Sequence, residues 1–294
     1  MKKIFCGLLF LFTSGVSLAT NLQQNVQKLL TTCSCEGCNL AHAKLSGLLL
    51  GQYPAEHEQR DYLNECNLNQ ANLSYANLDY AKLIGAGRSY ALNINLNHAK
   101  LIGTRLKNTE FYRIDGNEAD FSRANLTGAS LKNSNFTKAN FNRADLRYVT
   151  TLYKRINLGS QMTEANFSYA NLLNAQLDAT LDNANFDHAN LHNAILDPAI
   201  IDVQGSTNLG FANLNFSHAN LTDAELYETQ GAVVPFNKTN FSGANLKNAR
   251  FFIGYRLSQP QPADIKAAIF CHTIMPDGKL NNRDCPTKSH EKKH

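Results

Sequence analysis

From Ala119 the chain reads ADFSR ANLTG ASLKN SNFTK ANFNR ADLRY, six consecutive units of five residues. A large apolar residue holds the centre of each unit, a small one lies two places before it, and Asn or Asp often stands between them. The pattern returns from Ala184 (ANFDH ANLHN AILDP AIIDV) and from Ala244 (ANLKN ARFFI). In extended backbone, residues two apart point to the same side. The central Leu or Phe and the small residue before it therefore face inward, while Asn and the last two positions face solvent. Because five is odd, a straight strand cannot carry this pattern into the next unit. The chain must turn after each unit, and four turned sides close a square coil. Stacked coils would pair their backbone groups at about 4.8 Å. A helix does not fit, since apolar positions five apart advance by roughly 140° and form no stripe.

Phase shows where coils are interrupted. Central positions run through Leu96, Leu101, Leu106 and Phe111, then from Phe121 to Leu146, and Phe186 to Phe251 keep the same phase. Phe167, Leu172 and Leu177 are displaced by one. This predicts an extra residue near Gly159–Glu164 and a missing one near Thr180–Asn183, as bulges would give. The 160 residues from Ile94 to Ile253 then divide into eight coils of twenty. Upstream, Cys66–Tyr90 holds five units and Cys38–Gln52 three, with the insert Tyr53–Glu65 breaking the pattern. The expectation is an all-β rod of about ten coils, on the order of 50 Å long.

Open ends expose core and unpaired edges, so both need covers. Leu22, Val26, Leu29 and Leu30 are spaced to share one helical face and predict a short capping helix. At the other end Gln259-Pro-Gln-Pro262 stops the stack, and Ala268-Ile-Phe270 and Thr273-Ile-Met275 resume it as an irregular cap. The organisation expected is 1–19 export signal, 20–37 N-terminal cap, 38–253 coil with insert 53–65, 254–287 final coil and cap, and 288–294 mobile basic tail.

On these units the chain resembles the pentapeptide-repeat family, whose consensus is A-(N/D)-L-x-x. The resemblance implies a right-handed quadrilateral β-helix with four units to each coil. It covers approximately Cys38 to Ile253, with a partial continuation from Ala268 to Asn282. The closing run FCHTIMPDGKLNNRDC and the opening VQKLLTTCSCEGCNL are similar to end segments of secreted and lumenal members.

The N-terminus reads MKKIFCGLLFLFTSGVSLAT: a basic start at Lys2 and Lys3, an apolar run from Ile4 to Phe12 and a small-residue site at Ser17-Leu18-Ala19. That is the pattern of a secretory signal peptide, too short to span a bilayer. Export, to a bacterial periplasm or medium, leaves six cysteines, an even number that favours disulfides. Cys38 and Cys66 fall at the small inward position of their units. If the insert replaces one side, Cys38 lies beneath Cys66, as core filler or as a stacked disulfide. Cys271 and Cys285 bracket Met275-Pro-Asp-Gly278 and are expected to clamp the final cap. Cys33-Ser-Cys35-Glu-Gly-Cys38 also has the spacing of a metal cluster, with His42 or His57 as fourth ligand; export favours the disulfide account of Cys33 and Cys35.

Composition adds limits. With 43% hydrophobic and 18% charged residues the chain is globular, neither disordered nor multi-span. A net charge of +4 is too weak to read as a nucleic-acid binder. His188 and His192 imitate a zinc-helix spacing but lack its glutamate and its helix, so they read as solvated surface. No nucleophile elbow, phosphate loop or cofactor signature is present, and no catalytic residue or cofactor is expected.

Charge distribution is the one feature the coil does not require. Lys100–Arg155 carries eleven bases and five acids. Ile156–Asn237 carries nine acids and no Lys or Arg: Glu164, Asp178, Asp182, Asp187, Asp197, Asp202, Asp223, Glu225 and Glu228. Such a segment can steer a partner of opposite sign, including the basic part of another copy. The first expectation is thus a non-enzymatic exported binding or scaffold rod that engages a protein or a polyvalent cationic ligand through outward faces. The resemblance implies a second. Some members mimic a DNA duplex in shape and charge, bind DNA gyrase and confer quinolone resistance. The acidic segment suits that reading, whereas the export signal and the basic segment oppose it. A metal protein centred on Cys33–Cys66 is the third.

Overall fold

The computed structural model describes residues 18–51, 66–84, 94–151, 159–197, 211–228, 236–253 and 261–286, and in it the pentads wind into a four-sided coil. The corners between the first, second, third and fourth sides are made alike. The carbonyl of the central residue accepts the N–H of the next unit's small residue, as from Ala124 to Phe121 at 3.0 Å and from Ala129 to Leu126 at 2.8 Å. The last residue of the unit takes a positive φ, 58° at Arg123 and 69° at Gly128, which the third position of a type II turn requires. Non-glycine residues hold this conformation because ladder bonds pin the corner to its neighbour, as the Arg123 N–H does to the Asn142 carbonyl at 2.9 Å.

The Asn or Asp of each unit completes the corner. Its side-chain oxygen accepts the N–H two residues on, at 2.9 Å from Ser122 to Asp120 and 3.1 Å from Ser168 to Asn166. Its amide then reaches the neighbouring coil. Asn140, Asn166, Asn185, Asn215 and Asn240 each donate to the residue one coil before, at 3.1, 3.2, 3.4, 2.9 and 3.2 Å. The expectation that Asn simply faces solvent is corrected: it is half-buried and bonded along the rod.

Four parallel ladders result. The first side carries Ser34, Asn67, Asn95 and Asp115; the second Asn39, Asn72, Lys100 and Asp120; the third Lys44, Asn77, Arg105 and Asn125. The fourth carries true strands, Leu49–Gly51, Lys82–Ile84, Glu110–Tyr112 and Ser130–Lys132, then Gln176–Thr180, Ile195–Asp197, Glu225–Glu228 and Arg250–Ile253. Along the second side the levels are Asn39, Asn72, Lys100, Asp120, Asn140, Asn166, Asn185, Asn215, Asn240 and Ile269, in line with about ten coils.

Coil length varies more than phase revealed. Partners on the second side lie 20 residues apart from Asp120 to Asn140, then 26, 19, 30 and 25 apart up to Asn240. Only seven levels therefore fit between Ile94 and Ile253, where eight were expected. The single extra residue read near Gly159–Glu164 is a coil of 26 against the regular 20. An insertion of five leaves a five-residue phase unchanged, so only the sixth was visible. The shortening near Thr180 is real, and Gln176–Thr180 runs through its corner as one strand. The added stretches 52–65, 85–93, 152–158, 198–210 and 229–235 all join the end of a fourth side to the next first side, and 254–260 joins Arg250–Ile253 to Gln261–Pro262. The insert 53–65 thus follows a complete coil instead of replacing a side. These stretches, residues 1–17 and the tail 288–294 lie outside the described residues.

The interior is filled. Ala occupies the small position, and Leu or Phe from each side meet at the centre, nearly all fully buried. On the second side the rings of Phe121, Phe141, Phe167, Phe186, Phe216, Phe241 and Phe270 stack in turn, with centroids 4.8 to 5.8 Å apart. Where Thr takes the small position its hydroxyl can reach a carbonyl, as from Thr104 to Leu73 at 2.8 Å and from Thr109 to Leu78 at 2.9 Å, whereas the buried Thr239 hydroxyl finds no partner.

The helix Leu18–Thr32 covers the open start. Leu29 is buried in the core, and Leu22, Val26 and Leu30 pack against it. The coil itself begins at Ser34, paired with Asn67, earlier than the expected Cys38. Among the described residues no helix is long and apolar enough to cross a membrane. At the far end Gln261–Pro262 pairs antiparallel with Arg250–Ile253, and Thr273–Ile274 pairs with Leu280–Asn281 around the Met275–Gly278 turn.

Candidate functional site

The cysteines form three disulfides, Cys33–Cys66, Cys35–Cys38 and Cys271–Cys285. The last is the clamp expected from the sequence. The stacking of Cys38 beneath Cys66 is corrected: the insert adds to a complete coil, so Cys33 is the residue one level from Cys66, and Cys38 neighbours Ala71. With their sulfurs paired, Cys33, Cys35 and Cys38 offer no thiolate to a metal, and the His42 ring stacks on Tyr75 at 5.4 Å. His57 lies outside the described residues.

The acidic residues of 156–237 do not share a face. Glu164 and Asp182 stand at the corner between first and second sides, Asp187 between second and third, and Asp223 between third and fourth. Asp178, Asp197, Glu225 and Glu228 belong to the fourth side, and Asp202 lies outside the described residues. Asp178 and Asp197 are buried. Glu164 meets Lys138 at 3.8 Å, Glu225 pairs with Arg250, and Asp223 accepts the Asn248 amide at 2.9 Å. Burial pushes the Asp182 carboxyl above its usual range although the Ala212 N–H donates to it at 3.2 Å. Four sides divide a run of sequence among four directions, which is why a −9 segment becomes no acidic plane.

What the coil does gather is the third side with its two corners. Tyr75 and Tyr80 flank the unit of Asn77, and Tyr148 and Tyr169 flank the neighbouring units of Asp145 and Asn171. All four rings are exposed, at 55%, 58%, 56% and 49%. The leading corner of this side is a column of stacked groups. Tyr75 lies over Gly103, where a Cβ would come within 2.7 Å of its ring. Further along, the Arg143 guanidinium sits 5.5 Å from the Tyr169 ring centre, Tyr169 stacks on His188 at 4.7 Å, and His188 on His218 at 4.6 Å. His218 then lies over Gly243. Below this column Arg105 pairs with Asp79, and Arg147 with Asp145 at 2.7 Å.

Sequence reasoning read His188 and His192, four residues apart, as solvated surface. The structure sets His188 against His218, and Asp187 lies between them. Both histidines close a second-side unit, FDH-A and FSH-A, which was the available signal. The 30-residue coil between Asp187 and Ser217 concealed it.

A model described as pentapeptide repeats matches eight copies, at residues 62–86, 117–149 and 160–197. No curated protein matches the chain. Among solved structures, HetL, a pentapeptide repeat protein involved in heterocyst differentiation regulation from the cyanobacterium Nostoc, is 23% identical, with 89% of this chain and 99% of that one covered and a TM-score of 0.32. QnrB1, a plasmid-mediated fluoroquinolone resistance protein, is 14% identical over 72% of this chain and 89% of its own, with a TM-score of 0.36. Rfr23 from the cyanobacterium Cyanothece is 28% identical over 56% of this chain and 99% of its own, with a TM-score of 0.23. The matched copies are pentapeptide repeats, and it is their pentads that build the four-sided coil.

Proposed function

We propose that the chain is a non-enzymatic binding or scaffold rod, exported to a bacterial periplasm or medium, that holds a protein partner against its third side. One observation carries the choice of side: Tyr75, Tyr80, Tyr148 and Tyr169 all project from its two corners, about half exposed. A folded coil has no need of tyrosine at a turn corner, where Asn, Gly and Lys serve elsewhere on this rod. Tyrosine offers large contact area with few rotatable bonds and a polar tip, which suits an interface. Arg143, stacked on the Tyr169 ring, adds charge for orientation. The acidic-face and duplex-mimic readings draw little from the 156–237 segment, because its carboxylates are dispersed and many are buried or paired. Export rests on the Met1–Thr20 pattern, and the three disulfides agree with an oxidising compartment.

The test is site-specific photocrosslinking in intact cells. A photoreactive residue at Tyr148 or Tyr169 should give one discrete adduct, and the same residue at Lys138 on the first-side corner should give none. Equal labelling from both sides removes the third side from the proposal. Fractionation with N-terminal sequencing of the recovered chain checks export, and an intact Met1 in the cytosol overturns it.

A further inference from the structure

We propose that Asp187, His188 and His218 form a binding site for a divalent transition-metal ion of the zinc class. Two imidazoles converge on one carboxylate: His188 Nδ1 lies 2.8 Å from Asp187 Oδ2, and His218 Nδ1 lies 3.2 Å from Oδ1. One ligand atom from each of the three residues falls within 4.8 Å of the others. Around a tetrahedral zinc with bonds near 2.0–2.2 Å, neighbouring ligand atoms stand roughly 3.3 Å apart. The two imidazoles therefore already stand near ligand spacing from the carboxylate and all three groups within 4.8 Å, and a divalent ion would take the place of the two Nδ1 protons.

The coil holds these side chains ready. Asp187 donates its own N–H to Asn185 Oδ1 at 3.1 Å, and the Ser217 hydroxyl donates to Asp187 Oδ1 at 2.7 Å. His188 is fixed between the rings of Tyr169 and His218. His218 is held in turn over Gly243, where a Cβ would come within 2.6 Å of its Cδ2. Ser217 bonded to the carboxylate is the kind of outer partner that orients a ligating group. Two nitrogens and one carboxylate suit Zn²⁺ or Cu²⁺ better than the all-oxygen demand of Ca²⁺ or Mg²⁺. The imidazoles are 41% and 57% exposed, which leaves coordination positions open to water or to a group on a partner. Neither the five-residue motif nor the Asn ladder needs these three residues, since other corners close with Asn, Lys or Gly.

The experiment titrates Zn²⁺ alone into the purified, tag-free, chelator-treated chain and reads heat and thermal midpoint. The expected result is one ion per chain and a midpoint raised by zinc. H188Q and H218Q should each weaken uptake by about ten-fold or more, the scale on which metal-site partners act. H192Q should leave uptake unchanged, because His192 sits on the other corner of the third side against the Thr222 carbonyl. Circular dichroism confirms that each variant keeps the coil. No saturable uptake by the parent chain overturns the proposal, and so does uptake that survives unchanged in the H188Q/H218Q double variant.

Discussion

Phe141 and Phe167 stack with ring centroids 5.0 Å apart and planes 2° from parallel, although the coil between them is 26 residues long, as the Asn140–Asn166 step shows. The column of rings thus passes unbroken through the level where the coil gains residues. The added residues leave at one corner, and the core registers as if they were absent.

Phe167 is buried with ring neighbours on both sides, Phe141 and Phe186. Phe167→Ala should cost about 3–5 kcal/mol, since a rod packed from above and below cannot collapse onto the cavity. Phe167→Leu, the residue that earlier levels use, should cost under about 1.5 kcal/mol. Urea unfolding monitored by circular dichroism measures both.

The disulfides should differ in weight. Cys33–Cys66 closes 33 residues and ties the first coil to the second, Cys271–Cys285 closes 14, and Cys35–Cys38 closes 3. Loop-closure entropy predicts the largest loss for the Cys33→Ser/Cys66→Ser pair, within a range of about 2–5 kcal/mol, and the smallest for Cys35→Ser/Cys38→Ser. Thermal melts of the three double variants rank them.

Asp182 and Asp187 predict opposite responses to pH. Burial raises Asp182, so its ionisation costs stability as pH climbs past the ordinary carboxylate value toward the folded one. Asp182→Asn, which keeps an oxygen for the Ala212 N–H, should raise the midpoint at neutral pH and change it little near about pH 3.

Burial also works to raise Asp187, but the Ser217 hydroxyl and the His188 and His218 imidazoles outweigh it and hold the carboxyl below its usual range. Its contribution is present above the ordinary carboxylate value and is lost as pH falls through the folded one. Asp187→Asn should therefore lower the midpoint at neutral pH, with the gap to the parent closing below about pH 3. Melts across pH separate the two signs.

The amino-acid sequence by itself determined the corner and the core: one apolar residue in five, Ala or Ser before it, Asn between. That is a local rule, satisfied within one turn, and it also placed Leu22, Val26, Leu29 and Leu30 on one helical face. Which unit lies above which is a different matter. Phe141 finds Phe167, Cys33 finds Cys66 and His188 finds His218 through coil lengths that a five-residue period counts only modulo five. Only the stacked backbone, pairing every level with the next, decided those neighbours, and so it also scattered the acidic run over four directions and brought two distant imidazoles onto one carboxylate.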